Sequence, residues 1–177
     1  MSLKHAILVQ LETEPSSGYD LLQHFKSGLG YFWNAKHQQI YQQLKTLSEQ
    51  KFISLSLEKQ KGKPDKKIYQ ITEIGTEELK RWLTNSVKPH KINDALLVKI
   101  YGGHLIDQKN LHDELIDHKK VHEKIYQDLL NMERTYLESS TPTQEKYRLP
   151  YLTLRRGILG EQAWLTWAKE ALEMLKK

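Results

Sequence analysis

A short polar run in the first quarter of the chain carries side chains suited to contact with nucleic acid. "KHQQIYQQLK", residues 36–45, places lysine, histidine and glutamine on the outer face of an expected helix. A glutamine amide can pair with N6 and N7 of adenine, while lysine and histidine can reach guanine acceptors or phosphate. No Asp or Glu occurs from Leu21 to Ser48, which favours contact with phosphates. An ordinary solvated helix face is the alternative. We expect base or phosphate contacts from six side chains: Lys36, His37, Gln38, Gln39, Gln42 and Lys45.

A second basic segment, "EKQKGKPDKK", covers residues 58–67. Lysines in such a loop would contact the DNA backbone and set affinity rather than sequence preference. Glu58 and Asp65 favour the alternative of a solubilising hairpin tip. Of the lysines in this segment, we expect Lys61, Lys63 and Lys66 to contact DNA. The full set of five is Lys59, Lys61, Lys63, Lys66 and Lys67.

Aromatic and histidine side chains form further candidate sites. Tyr31, Phe32 and Trp33 could stack on bases, but at least two of them are expected to pack as core anchors, with pocket lining by Tyr31 and Trp33 left open. Trp164 and Trp167, at i and i+3, suit either the core or a pocket for a small aromatic effector at a dimer interface.

His118 and His122 have the i, i+4 spacing of metal ligands. The sequence between them, "HKKVH", lacks the glutamate of an HExxH site, so we predict neither a metal nor a cofactor. A polar helix seam or partly exposed histidines is the favoured interpretation, and paired histidines in a dimer seam could also set its register or respond to pH.

The composition excludes several classes of protein. The chain has no cysteine, which rules out disulfides and thiolate chemistry, and it contains no phosphate loop, GxGxxG or GxSxG motif, so we predict that it is not an enzyme. The apolar stretch at the N-terminus is too short for a signal peptide or a membrane span, which favours a cytoplasmic protein with no membrane partner. Residues 1–90 carry a net charge of +4 (13 Lys and Arg against 9 Asp and Glu), so this half is the better candidate for a polyanion partner.

The elements that would position these residues follow from periodicity and caps. Helices are predicted at 3–12, at 18–27 after a Ser17-x-x-Asp20 capping box, and at 35–50 with Asn34 as N-cap. In the third helix, one apolar face is predicted to contain Ile40, Tyr41, Leu44 and Leu47. "FISLSLEK" and "KKIYQIT" then alternate as the strands of a hairpin, and Thr72 caps a helix at 73–83. Three helices, a hairpin and a helix are the order of a winged helix-turn-helix.

The second half has the pattern of helices throughout. Segments at 93–103, about 107–138 and about 145–176 are predicted, the last two with long apolar stripes. The stripe of the last segment is interrupted at Glu161. Two such helices bury little by themselves, so we expect homodimerisation. The fold class is therefore mostly α, with a winged-helix domain at 1–88 and a helical dimerisation or effector domain at 89–177.

The sequence resembles the PadR family of bacterial transcriptional regulators, in the branch with a longer C-terminal helical domain. The segments that carry the resemblance span nearly the whole chain: "LKHAILVQL…SGYDLLQHF", "NAKHQQIYQQLKTLSEQKFI", "GKPDKKIYQITEIGTEELKRWL", "LLVKIYGGHL", "LPYLTLRRG" and "WLTWAKEAL". The resemblance implies a dimeric winged-helix protein that binds DNA, usually as a repressor and sometimes under the control of a small molecule.

Two hypotheses of function follow from these observations. In the first, a homodimeric repressor binds a palindromic operator in double-stranded DNA through the helix at 35–50 and the lysine-rich wing, and a small-molecule effector relieves repression. In the second, the winged helix is a protein-protein adaptor that docks an acidic partner and shows no DNA sequence preference.

Overall fold

The computed structural model describes residues 3–27, 33, 35–59, 65–89, 91–139 and 145–175. Its helices are α1 (Leu3–Thr13), α2 (Gly18–Ser27), α3 (His37–Glu49), α4 (Glu73–Leu83), α5 (Ala95–Tyr101), α6 (Gln108–Ser139) and α7 (Glu145–Leu175), with a 3-10 helix at Gly103–Leu105. The strands are β1 (Ser16–Ser17), β2 (Ile53–Glu58) and β3 (Lys66–Ile71). The chain divides into two compact units, Met1–Pro89 and His90–Lys177. No helix among the described residues is long and apolar enough to cross a membrane.

The first unit has the winged-helix order predicted from the sequence. The two strands of the hairpin pair antiparallel, with Ile53 opposite Ile71 and Leu57 opposite Lys67. The sequence did not predict β1, a two-residue strand that pairs with β3 and places β3 at the centre of the sheet. Its brevity explains this, since two residues cannot display a period of two.

The core of this unit is formed by the apolar faces of α1, α2 and α3. Its fully buried members include Ile7, Leu8, Leu11, Leu21, Ile40, Leu44 and Leu47. Only the first residue of the alternating apolar set on β2, Ile53, is buried, while Leu55 and Leu57 are exposed. The hairpin therefore projects from the core as a wing with one attached end.

The end of α3 and the start of α4 are held by specific backbone contacts. Lys51 has a φ of 59°, and the N–H groups of Lys51 and Phe52 donate to the carbonyls of Ser48 and Leu47, the pattern of a Schellman C-cap. Thr72 caps α4 as predicted, because its Oγ1 accepts from the N–H of Gly75 at 3.1 Å. These contacts fix α3 relative to the wing.

The second unit is built on α6 and α7, which run antiparallel. Tyr136 stacks on Tyr151 near one end, and Leu115 and Ala168 are buried together near the other. The stripe predicted on α6 faces α7 of the same chain, with Leu111, Leu115 and Leu129 buried. The α6 seam is therefore an intrachain contact. α5 packs against the same cluster through Leu96.

Candidate nucleic-acid interface

The N-terminus of α3 differs from the prediction in its cap. The helix begins at His37 with Lys36 at the N-cap position, and the predicted cap, Asn34, lies outside the described residues. The Oε1 atom of Gln39 accepts a hydrogen bond of 2.8 Å from the backbone N–H of Lys36. The predicted start at residue 35 was therefore two residues early. Gln39 is exposed, but in this conformation its side chain caps α3.

The outward face of α3 carries a ridge of polar side chains. Gln38, Gln42 and Lys45 are exposed and spaced at i, i+4 and i+7, on the side of the helix opposite the buried Ile40 and Leu44. Among the described residues, no side chain hydrogen-bonds to the amides of Gln38 or Gln42. Lys45 Nζ lies 4.0 Å from Glu49 Oε1, a separation at which an exposed pair is weak. We refer to Gln38, Gln42 and Lys45 as the α3 ridge.

Tyr41 and His37 form one edge of the same helix. Tyr41 was predicted on the apolar face, but it is 41% exposed, and that part of the prediction was wrong. Tyr41 lies one residue after Ile40, about 100° further around the helix, so it reaches the boundary of the apolar face. Its ring centroid lies 4.6 Å from that of the exposed His37, and the two ring planes are tilted by 33°.

The wing lysines have different surroundings. Lys61 and Lys63 lie outside the described residues, and Lys66 Nζ lies 2.9 Å from Asp20 Oδ2. Asp20 also accepts from the N–H and Oγ of Ser17, while its own N–H donates to Ser17 Oγ, which is the predicted capping box. The hydrogen bond from Lys66, followed by those from Ser17, lowers the pKa of Asp20, and the same pair raises the pKa of Lys66. Lys66 therefore links the wing to α2, a partner that sequence analysis did not identify.

The aromatic segment before α3 contributes to the core. Trp33 is half-buried and packs against the apolar cluster of the first unit. Tyr31 lies outside the described residues.

The two histidines of α6 do not share an environment. His118 is exposed, whereas His122 Nδ1 lies 2.6 Å from Glu161 Oε2 on α7 and its ring stacks on Trp164 at 3.6 Å. The break in the α7 stripe at Glu161 is thus explained by its pairing with His122. No group of three or more His, Cys, Asp or Glu side chains in the described part of the chain is arranged to hold a metal ion.

Trp167 connects this cluster to the surface of α7. Its ring contacts Trp164 edge-on, with the centroids 5.5 Å apart. It also lines a shallow depression of about 430 Å³ together with five other residues of α7: Leu159, Gln162, Ala163, Thr166 and Glu170. The two tryptophans therefore lie partly between α6 and α7 and partly at an open surface.

Comparison with known proteins agrees with the fold. Residues 7–81 match the model of the "Transcriptional regulator PadR-like family", and residues 92–176 match "Virulence activator alpha C-term". The chain is 32% identical to the negative transcriptional regulator PadR of Bacillus subtilis, over 99% of this chain and 98% of that protein.

Solved structures of the same Bacillus protein are also similar. Its complex with operator DNA has a TM-score of 0.84 and 30% identity, and the match covers 98% of each chain. Its complex with p-coumaric acid has a TM-score of 0.77 and 30% identity, covering 99% of this chain and 96% of that one. The relatives matched over nearly their whole length are transcriptional regulators and not enzymes. The chain therefore belongs to the PadR-like family of transcriptional regulators.

Proposed function

We propose that this regulator binds operator DNA by inserting the α3 ridge into the major groove, and that it acts as a repressor. The observation that carries the proposal is the exposure of Gln38, Gln42 and Lys45 on a helix whose opposite face is fully buried. A buried face fixes the direction of the ridge, and glutamine and lysine are side chains that read base edges. The similarity to a negative regulator crystallised with operator DNA supports the same function.

The test begins with selection of a preferred site from a pool of random duplexes by the full chain. Gln38→Ala and Gln42→Ala are better probes than Gln39→Ala, because Gln39 caps α3 and its loss would also disturb the helix. We expect each variant to bind the selected site roughly tenfold more weakly and to lose preference at one base position. Gln127→Ala, an exposed glutamine on α6, is the matched control and should bind as the wild type does.

Two other results would contradict the proposed function. Unchanged affinity and base preference in both variants would remove α3 as the reading helix. Failure of the wild-type chain to enrich any sequence would favour the protein-protein adaptor.

The proposed operator-bound form is a homodimer assembled through the helical unit. Several large apolar side chains of this unit are exposed, and such patches commonly mark interfaces. They include Val98, Tyr101, Leu105, Leu152 and Leu159. Two copies would present two ridges to a palindromic site with half-sites about 34 to 36 Å apart. Sedimentation of the full chain as a monomer at micromolar concentration would contradict this assembly.

The proposed effector is a small aromatic acid that binds at the depression beside Trp167. The depression is open to solvent in the single chain, and a second protomer seated on α7 would enclose a ligand there, as small-molecule sites require. The complex of the Bacillus relative with p-coumaric acid supports this class of ligand. Titration with p-coumaric acid should quench tryptophan fluorescence, and Trp167→Phe should remove most of the change. Quenching that persists in Trp167→Phe would place the ligand elsewhere.

A further inference from the structure

The first unit contains a second concave surface, next to the α3 ridge. An open cleft of about 330 Å³ lies between the start of α2, the exposed edge of α3 and strand β3. Its lining is rich in tyrosine and lysine: Ser17, Gly18, Tyr19, Tyr41, Lys66, Lys67 and Tyr69. Tyr19 and Tyr41 are 63% and 41% exposed. We call this surface the tyrosine cleft.

Tyr41 is held in the tyrosine cleft by its neighbours. A Cβ atom added at Gly18 would lie 2.8 Å from ring atoms of Tyr41 and 2.9 Å from its hydroxyl, so the Tyr41 side chain rests against Gly18 and would have to shift if a larger residue stood there. The ring of His37 contacts Tyr41 on α3 itself. The ring of Tyr41 therefore lies between Gly18 and His37, with its hydroxyl in the lining of the cleft.

The charge of the tyrosine cleft is positive. Asp20 is engaged by Lys66, which leaves the exposed Lys67 as the uncompensated cation of the lining. Tyr69 also lines the cleft, and its pKa is raised from an ordinary value of 10.0 by burial, with a smaller effect from the nearby Tyr41, so its hydroxyl remains a donor well above neutral pH. The cleft thus offers phenolic donors and an ammonium group, a set that suits an anion with several acceptor oxygens.

The openness and the position of the tyrosine cleft favour a polymer over a small molecule as its ligand. Small-molecule sites bury most of the ligand surface, whereas this cleft is open to solvent. Tyr41 also directly precedes Gln42 of the α3 ridge, so a DNA strand flanking the groove that Gln42 reads would pass the mouth of the cleft. An open, positively charged surface beside the reading helix fits a phosphate of that strand.

We propose that the tyrosine cleft binds a backbone phosphate of operator DNA through the hydroxyls of Tyr19 and Tyr41 and the ammonium of Lys67. This inference rests on the proposed function, because it requires α3 to lie in the major groove. The contact sets affinity and register on the duplex and carries no base preference.

The experiment compares Tyr19→Phe, Tyr41→Phe and Lys67→Gln in the full chain by fluorescence anisotropy, with the selected duplex and an unrelated duplex of equal length. Each phenylalanine variant should bind both duplexes about threefold to tenfold more weakly, since only a hydroxyl is lost. Lys67→Gln should reduce the slope of log affinity against log salt concentration by about 0.9. The matched controls on α6, Lys124→Gln and Tyr126→Phe, should bind as the wild type does.

Each other outcome has a distinct meaning. If the wild type binds no duplex, the proposed function fails. If the wild type binds and all three variants bind equally well, the phosphate contact is overturned. Weaker binding only to the selected duplex would assign the cleft to base reading and overturn the proposal. Normal binding to both duplexes with loss of p-coumaric acid-induced release would make the cleft an effector site and overturn it as well.

Discussion

Substitution of Asp20 tests whether Lys66 acts mainly by anchoring the wing to α2 or by contacting DNA. Lys66 Nζ lies 2.9 Å from Asp20 Oδ2, and the two side chains are 35% and 37% exposed. Ion pairs this exposed contribute little, so we expect Asp20→Asn to lower the free energy of unfolding by about 0.5 kcal/mol. The loss stays small because an asparagine oxygen can still accept from the backbone N–H of Ser17.

The effect on DNA binding should have the opposite sign. Asp20→Asn removes a negative charge beside the tyrosine cleft and releases Lys66, so affinity for duplex DNA should rise, with a salt slope larger by about 0.9. Lys66→Gln should also lower stability slightly, yet it leaves Asp20 charged and should weaken DNA binding. The two variants would then both lower stability, whereas Asp20→Asn would raise DNA affinity and Lys66→Gln would lower it.

Urea unfolding followed by circular dichroism measures the first effect, and fluorescence anisotropy measures the second. The hydrogen bond from Lys66 holds the pKa of Asp20 below its ordinary value of 3.8. The contribution of the pair is therefore fully present above pH 3.8 and lost as the pH falls through the lowered pKa of Asp20, below which the stability difference between wild type and Asp20→Asn should disappear. Weaker DNA binding by Asp20→Asn would refute the reasoning, because the carboxylate would then be orienting Lys66 toward DNA.

Two further predictions concern glycine and the backbone. Gly75→Ala should lower the free energy of unfolding by about 2 kcal/mol or more, because the added Cβ would lie 2.0 Å from the carbonyl oxygen of Phe52. Gly160→Ala is its matched control on α7 and should raise stability by about 0.8 kcal/mol, since its Cβ meets only the flexible end of Arg156; equal effects of the two changes in urea unfolding would contradict this. Lys51→Gly should raise the free energy of unfolding by about 0.5 to 1 kcal/mol, because glycine adopts the φ of 59° without strain, and a decrease in the urea midpoint would count against it.

Local signals allowed most of the elements to be predicted from the sequence. Thr72 and the Ser17-x-x-Asp20 box are short-range caps, so the beginnings of α4 and α2 could be read directly. The start of α3 could not, because Lys36 supplies no side-chain acceptor and Gln39 bonds back to the backbone instead. The sequence predicted Asn34 as the cap because asparagine is a residue type that commonly caps helices.

The candidate interface was predictable where it depends on helical period and unpredictable where it depends on long-range pairing. The α3 ridge follows from the spacing of Ile40 and Leu44, which fixes the outward direction. The Asp20–Lys66 pair joins two residues far apart in sequence, and no periodicity marks such a contact. The same reason hid the tyrosine cleft, which brings together residues of α2, α3 and β3.

The intrachain role of the α6 stripe limits how the proposed dimer can assemble. Leu115 and Leu129 are already buried within one chain, and His122 is engaged by Glu161 and Trp164 of α7. A second copy that used this face would first have to separate α6 from α7 and break the His122–Glu161 pair. Leaving these partly buried groups without partners costs more free energy than new ion pairs at an exposed surface would contribute. The proposed dimer would therefore use apolar side chains that remain exposed in the single chain, and substitutions at the stripe should reduce stability before they affect assembly.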